Sequence, residues 1–378
     1  MKRLVAWLGG VVATLLLLEA GAAGLVTLGV LETPAPSYGG TGFWRGHHPD
    51  FGVWHEPDAQ ITHERACFRT VYRTNSVGAR DVERPLESDT PRVLVLGDSF
   101  IEGWGIASDA RLSNLLERAT GFPHLNFGMA HFGPYQHVIV YRKLASRFDH
   151  DAVVVGLLPA NDFLDLDLER ADRRERYEYR YRPYLIGDPP DLRHFDHVES
   201  AWSRALRTHS YAWNALLEAA HALRALGAGE ESPEATGSGR RPTSRFYEFS
   251  EADFGRLEAV LVRLADAVEG RPTAVLLIPT ERDLERRAVS GPAPLVDRLE
   301  RVGARLGLRV VDLLTPFSES ALDYAAYYLS CDYHWSVRGN AAAAEWVLGA
   351  LEPEWYGRLR RGSRASQTSM SSNRSVTR

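Results

Sequence analysis

From residue 92 onward the chain alternates short runs of Val, Leu and Ile with longer segments whose apolar positions recur every three or four residues. The runs lie at Arg92–Gly97, His124–Phe127, Ala152–Leu158, Thr273–Ile278 and Arg309–Leu313. They are continuous rather than alternating, which is the pattern of strands buried on both faces of a parallel sheet. Between them, Arg111–Thr120 carries Leu112, Leu115 and Leu116 at helical spacing and stops at Gly121. Tyr135–Phe148 and Pro294–Leu306 also read as helices. In Glu251–Glu269, Phe254, Leu257, Val260, Leu261 and Leu264 make one apolar face. Trp335–Leu351, rich in Ala, reads as a closing helix. Such alternation predicts an α/β fold with a wound parallel sheet of about five strands.

An insertion of about 165–245 interrupts this rhythm between the third and fourth strands. Asp165–Arg182 is dense in charge and Tyr and reads as a surface loop or exposed helix. Ala201–Leu226 has a helical pattern, and Gly227–Thr243 has the composition of a flexible segment. Residues 32–90 form a lead-in rich in Pro, Gly, His and aromatics. There, Cys67–Thr74 alternates like a strand and Asn75–Gly78 reads as a turn, so a small β element beside the main sheet is expected. The tail 362–378 has almost no apolar residues and is expected to be disordered. The predicted division is therefore 1–31, 32–90, a main domain over 91–352, and the tail.

Val5–Leu31 holds one ionisable residue, Glu19. The run is long enough to cross a bilayer as a helix. Lys2 and Arg3 before it predict that this end stays in the cytoplasm and the rest lies outside. The competing reading is a cleaved signal peptide, with Leu15–Leu18 as its core and Ala20–Ala23 as its cleavage region. The apolar run continues past that point and favours an anchor, while Glu19 counts against one. Both readings place the bulk of the chain in the bacterial periplasm or at the cell surface.

Composition changes this picture little. Hydrophobic residues are 44% and charged residues 25% of the 378, as in a globular protein with a real core. The net charge of −5 argues against a nucleic-acid partner. The 38 aromatic residues suit carbohydrate binding and cores alike, and the core reading is preferred. Cys67 and Cys331 could bridge in an exported protein, but sequence does not show whether they meet. There is no Cys-x-x-Cys, and His47-His48 lacks ligand spacing, so neither metal nor cofactor is expected.

Candidate chemistry sits at the strand ends. The first strand stops at Gly97-Asp98-Ser99, which puts Ser99 where open α/β sheets bind ligands. Gly-Asp-Ser is also an ordinary turn sequence. A serine hydroxyl needs a base, and His334 is the best candidate, with Asp332 to fix its tautomer. The plainer alternative makes Asp332 an N-cap of the closing helix and His334 a first-turn residue. The Gly128 amide after the second strand and the Asn161 side chain after the third could join the Ser99 amide around a developing oxyanion. Four such features at four strand ends point to catalysis more strongly than any one alone.

At this level the sequence resembles the SGNH/GDSL hydrolase superfamily over roughly residues 75–350. The resemblance rests on Gly97-Asp98-Ser99-Phe100, Gly128, Asn161-Asp162, and Asp332 with His334. It implies a three-layer α/β/α sandwich of flavodoxin type and a Ser99–His334–Asp332 acyl-enzyme mechanism with Ser99, Gly128 and Asn161 as the oxyanion hole. Two departures stand out. Pro159 replaces the glycine of the usual Gly-x-Asn-Asp block, and Asp-x-His replaces the commoner Asp-x-x-His. The shorter spacing, Asn75–Arg80 and Trp335 resemble membrane-anchored proteins of exopolysaccharide O-acetylation, such as the alginate acetylation proteins. The expected protein is an exported serine esterase or acyltransferase whose partners are an acylated carbohydrate and the membrane. The rival readings are a non-catalytic glycan-binding or assembly protein, and a metal-dependent hydrolase using Asp332, His334 and a further His.

Overall fold

The structure, a computed structural model, describes residues 2–30, 43–169, 181–228, 243–320, 323–352 and 354–361. Most of Asp165–Arg182, most of Gly227–Thr243, and the tail lie outside the described residues, so the expectations for them stand as sequence readings.

Lys2–Thr27 is one helix, long and apolar enough to cross a membrane. Two small antiparallel hairpins follow, β1 (Trp44–His48) with β2 (Gly52–His55), and β3 (Gln60–Arg65) with β4 (Phe68–Arg73). They are the expected β element of the lead-in. The Asn75–Gly78 turn closes through the Gly78 amide, which donates to the Asn75 carbonyl at 2.9 Å.

The core strands are β5 (Val93–Gly97), β6 (His124–Gly128) and β7 (Ala152–Leu157). The hairpin β8 (Pro183–Ile186) and β9 (Arg193–Asp196) interrupts them, before β10 (Thr273–Leu277) and β11 (Leu308–Asp312). The main sheet has the order β11-β10-β7-β5-β6 and every pairing in it is parallel. Every residue of β5, β6, β7 and β10 is buried, because these strands, rich in Val and Leu, face helices on both sides. Leu112–Thr120 packs on the closing helix Val337–Leu351. Pro134–Lys143 packs on Glu251–Val268, which also packs on Pro294–Leu306. The result is the expected three-layer α/β/α fold.

The chain leaves β5 for β6 on one side and then returns to β7 on the other. This reversal opens a crevice beyond the C-terminal end of β5, the place where wound sheets hold ligands.

Three details differ from expectation. The closing helix starts at Val337 with Ser336 as its N-cap, not at Trp335. Asp332–Trp335 is instead β13, paired with β12 (Tyr328–Leu329) in a hairpin. Asp332 therefore has no capping role. The helical stretch of the insertion is two helices, Ala201–His209 and Tyr211–Ala228, because the chain turns extended at Ser210. The helix Glu281–Ser290 was not foreseen; its sequence is polar, and of its apolar side chains only Leu284 is buried, beside Asp283.

Candidate active site

The sheet register dictates where Ser99 stands. Gly97 ends β5, Asp98 caps the short helix Ser99–Glu102, and Asp98 Oδ1 accepts from the Phe100 amide at 3.0 Å. Ser99 is thus the first helical residue, and its amide is one of those a helix leaves without an intrahelical acceptor.

Its partners come from the β12–β13 hairpin. Ser99 Oγ lies 2.7 Å from His334 Nε2, and His334 Nδ1 lies 2.5 Å from Asp332 Oδ1. In this linear relay the carboxylate accepts a hydrogen bond from the ring's Nδ1–H, which leaves Nε2 to accept from the serine hydroxyl. Burial pushes the Asp332 carboxyl up. Its bonds to His334 and to Trp104 outweigh that and hold it below the usual carboxylate range. Asp332 therefore stays ionised at neutral pH and stabilises an imidazolium.

Sequence reasoning missed Trp104. Its indole Nε1–H donates to Asp332 Oδ2 at 3.1 Å. Its ring stacks on His334 at 5.4 Å, and Tyr333 stacks on His334 at 4.4 Å. Trp104 thus holds the carboxylate that holds the His334 ring. The only local signal was an aromatic between Gly103 and Gly105, both in left-handed conformations that glycine favours. Trp104→Phe keeps an aromatic ring against His334 and removes the N–H. We expect kcat on an aryl acetate to fall about tenfold with KM little changed, as for one lost hydrogen bond to a charged group.

The hairpin is held in place from several sides. Tyr328 donates through its hydroxyl to the Pro279 carbonyl at 2.9 Å, and Trp335 stacks on Phe317 at 5.6 Å. Cys331, beside Asp332, forms a disulfide with Cys67, with Cα atoms 5.6 Å apart. The pairing that sequence left open therefore ties the β3–β4 hairpin to the residue next to Asp332.

The oxyanion donors are rearranged. Asn161 lies in the first turn of the helix Pro159–Asp165 and lines a cleft of about 670 Å³. Pro159 fits there because the first helical position needs no N–H. The Asn161 side chain lies beside the Asp98 carboxyl and pulls that acid's pKa down. Gly128 is a correction: its amide donates to Asn126 Oδ1 at 2.9 Å, so that hydrogen is committed within the strand end. The glycine serves packing instead, since a Cβ there would run into the Glu102 backbone. Nearby, His131 adopts a left-handed conformation with φ 71°, its ring 6.5 Å from Trp104 and its carbonyl accepting from Arg182.

Beneath Ser99 lies an acidic group. Burial, with Asp165 nearby, pushes Asp98 up to about 7, against the pull of the Phe100 amide and Asn161. Burial and the same neighbouring acids push Asp162 well above the usual range. Arg182 pairs with Asp165 at 2.9 Å. Folding raises the Asp98 value from 3.8, so its contribution to stability is complete below about pH 4 and is lost as pH rises through about 7. Asp98→Asn stays neutral throughout. The variant should show a flatter thermal midpoint between about pH 4 and about pH 7 than the parent, measured by circular dichroism melts.

On the other side of Ser99, Glu102 is fully buried and accepts from the Ala130 amide at 2.7 Å and faces His55 Nε2 at 3.0 Å. His55 belongs to β2, so the lead-in is built into the support of the helix that Ser99 opens.

No protein-family model matches the sequence, and no curated protein matches it. Solved structures do. A member of the lipolytic protein G-D-S-L family from Veillonella parvula shares 12% identity over 69% of this chain and 97% of its own, with a TM-score of 0.37. A lipase/acylhydrolase from Enterococcus faecalis shares 14% identity over 71% of this chain and 96% of its own, with a TM-score of 0.37.

Proposed function

We propose that the chain is a serine esterase or acyltransferase of SGNH/GDSL type, anchored in a membrane by its N-terminal helix, that acts on ester-linked acetyl groups of a polysaccharide outside the cytoplasm. The observation that carries the catalytic part is the Ser99–His334–Asp332 relay at the reversal point of the sheet.

The chemistry follows from that geometry. His334 Nε2 takes the Ser99 proton as Oγ attacks the ester carbonyl. The Ser99 amide and Asn161 hold the oxyanion. The protonated His334 then gives its proton to the leaving sugar oxygen, which leaves an acyl-serine. In the second half, His334 deprotonates water or a second hydroxyl, which attacks the acyl carbonyl and releases Ser99.

Two features support a carbohydrate ester. The cleft beside Asn161 is lined by Arg245, Glu248, Glu281 and Arg282 and by the half-exposed Tyr333 ring, a lining suited to hydroxyl groups and a sugar face. Among the described residues that line it, only Leu158 and Ala160 carry aliphatic side chains. The Asp332-x-His334 spacing adds the resemblance to exopolysaccharide acetylation proteins.

The test is release of acetate from an acetylated polysaccharide, with and without a de-acetylated glycan acceptor. Steady acetate release without acceptor marks an esterase. A burst followed by slow release, accelerated by acceptor with transfer of the acetyl group, marks a transferase. Binding of the glycan with neither outcome would leave a glycan-binding protein.

A further inference from the structure

We propose that residues 201–228 form a helical hairpin that dips into the bilayer, docked on the membrane helix through Glu19, with its tip in the leaflet nearest the catalytic domain. This rests on the reading of Lys2–Thr27 as a retained anchor.

Glu19 is the one acidic residue of Lys2–Thr27. Its carboxylate accepts from Ser210 Oγ at 2.6 Å, from the Tyr211 amide at 2.5 Å and from the Ala212 amide at 3.2 Å. It thus caps the helix Tyr211–Ala228 from another part of the chain. In hydrocarbon an unpaired carboxylate is costly, and so is an unpaired helix N–H. Each removes the other's penalty here.

A second observation is independent of that cap. Glu19, Ala22, Ala23 and Val26 are the residues of the membrane helix with reduced exposure. Their spacing of three and four makes one stripe, running from Glu19 towards the catalytic domain. Tyr211–Ala228 packs on this helix. The two alanines allow the close approach typical of helix pairs in lipid.

Depth follows from length. Lys2 and Arg3 belong at one headgroup level, and Glu19 lies about 24 Å along the helix from Arg3 at 1.5 Å per residue. The hydrocarbon layer is about 30 Å thick, so Glu19 is about 6 Å inside the opposite boundary. Ser210 and Tyr211 share that depth because they touch it.

The surface around this tip suits lipid. Trp202, Leu206 and Leu216 are 63%, 39% and 60% exposed. Trp202 meets Trp213 edge to face at 5.8 Å, a pair placed where aromatic residues gather at membrane boundaries. Of the tip's cations, Arg204 and Arg207 pair with the buried Glu199 at 3.7 and 3.3 Å, which keeps their charge off the lipid-facing side. Small residues at Ala20–Ala23 suggested a signal-peptide cleavage region. Ala22 packs against the fold, and cleavage there would remove the cap.

The full chain, disulfide intact, is reconstituted in nanodiscs of phosphatidylethanolamine and phosphatidylglycerol. A nitrobenzoxadiazole dye is placed on Leu206→Cys, Leu216→Cys or, as reference, the exposed Glu345→Cys. The proposal expects the first two dyes to emit to the blue, to be quenched by spin-labelled lipid and to resist iodide, and the third to do the reverse. Glu19→Leu should abolish the lipid quenching at 206 while its aryl acetate hydrolysis is unchanged. Iodide quenching at 206 and 216 equal to that at 345 would overturn it, as would shielding from both quenchers with cross-linking to another protein chain. Intact mass and alkaline extraction separate the two claims. Loss of residues up to Ala23 refutes anchor and hairpin together, whereas a retained, membrane-integrated helix with an aqueous hairpin refutes the hairpin alone.

Discussion

Ser99→Ala should lower kcat on an aryl acetate by at least about 10⁴-fold, with KM little changed. Ser99 Oγ is the only hydroxyl within hydrogen-bonding distance of His334 Nε2 among the described residues, at 2.7 Å. Removing it removes the covalent path, and His334 and the oxyanion donors alone retain a small residue of catalysis. The fold should survive. Ser99 makes one side-chain bond, worth about 1 kcal/mol, and Ala occupies its volume without strain. Circular dichroism and a thermal melt would check this. A variant that folds and keeps full turnover would remove Ser99 from the mechanism.

The second large effect concerns the disulfide. Replacing Cys67 and Cys331 by Ser, or reducing the bridge, should cost about 2–5 kcal/mol of stability. It should also lower kcat about ten- to a hundredfold. The β12–β13 hairpin lies outside the main sheet and carries both Asp332 and His334. Its turn is bound to β3–β4 through Cys331, one residue from Asp332. Loss of that tie lets the carboxylate and the ring drift from a geometry in which an error of about 1 Å matters. Urea melts and steady-state kinetics on oxidised and reduced protein would measure both terms. Equal kcat in the two forms would mean that Tyr328, Trp335 and Trp104 fix the hairpin without the bridge.

Much of this was legible in the sequence because the main sheet is parallel. Strands buried on both faces are written as unbroken apolar runs, and five such runs gave five strands. The strand ends then carried Ser99 and Asn161 to one edge, and His334 arrived there from the hairpin before the closing helix. What was not legible depends on contacts between distant segments. Trp104 and Asp332 are 228 residues apart, and Cys67 and Cys331 are 264 apart. No local pattern reports either meeting. Gly128 was misassigned because a glycine at a strand end looks alike whether its amide is free or taken, and only the fold shows Asn126 turning back on it. Asp332 was weighed as a helix cap because a two-residue strand such as Tyr328–Leu329 leaves no periodicity to read. Glu19 meets its partners at 210–212 across 191 to 193 residues of chain, and no local pattern reports that meeting either.

The central claim is that Ser99 is an activated nucleophile. A fluorophosphonate added to the full-length protein, followed by peptide mapping, tests it most directly. The relay predicts one stoichiometric adduct on Ser99, absent from Ser99→Ala and strongly slowed in His334→Ala. No adduct, or labelling at another residue with Ser99 untouched, would contradict it.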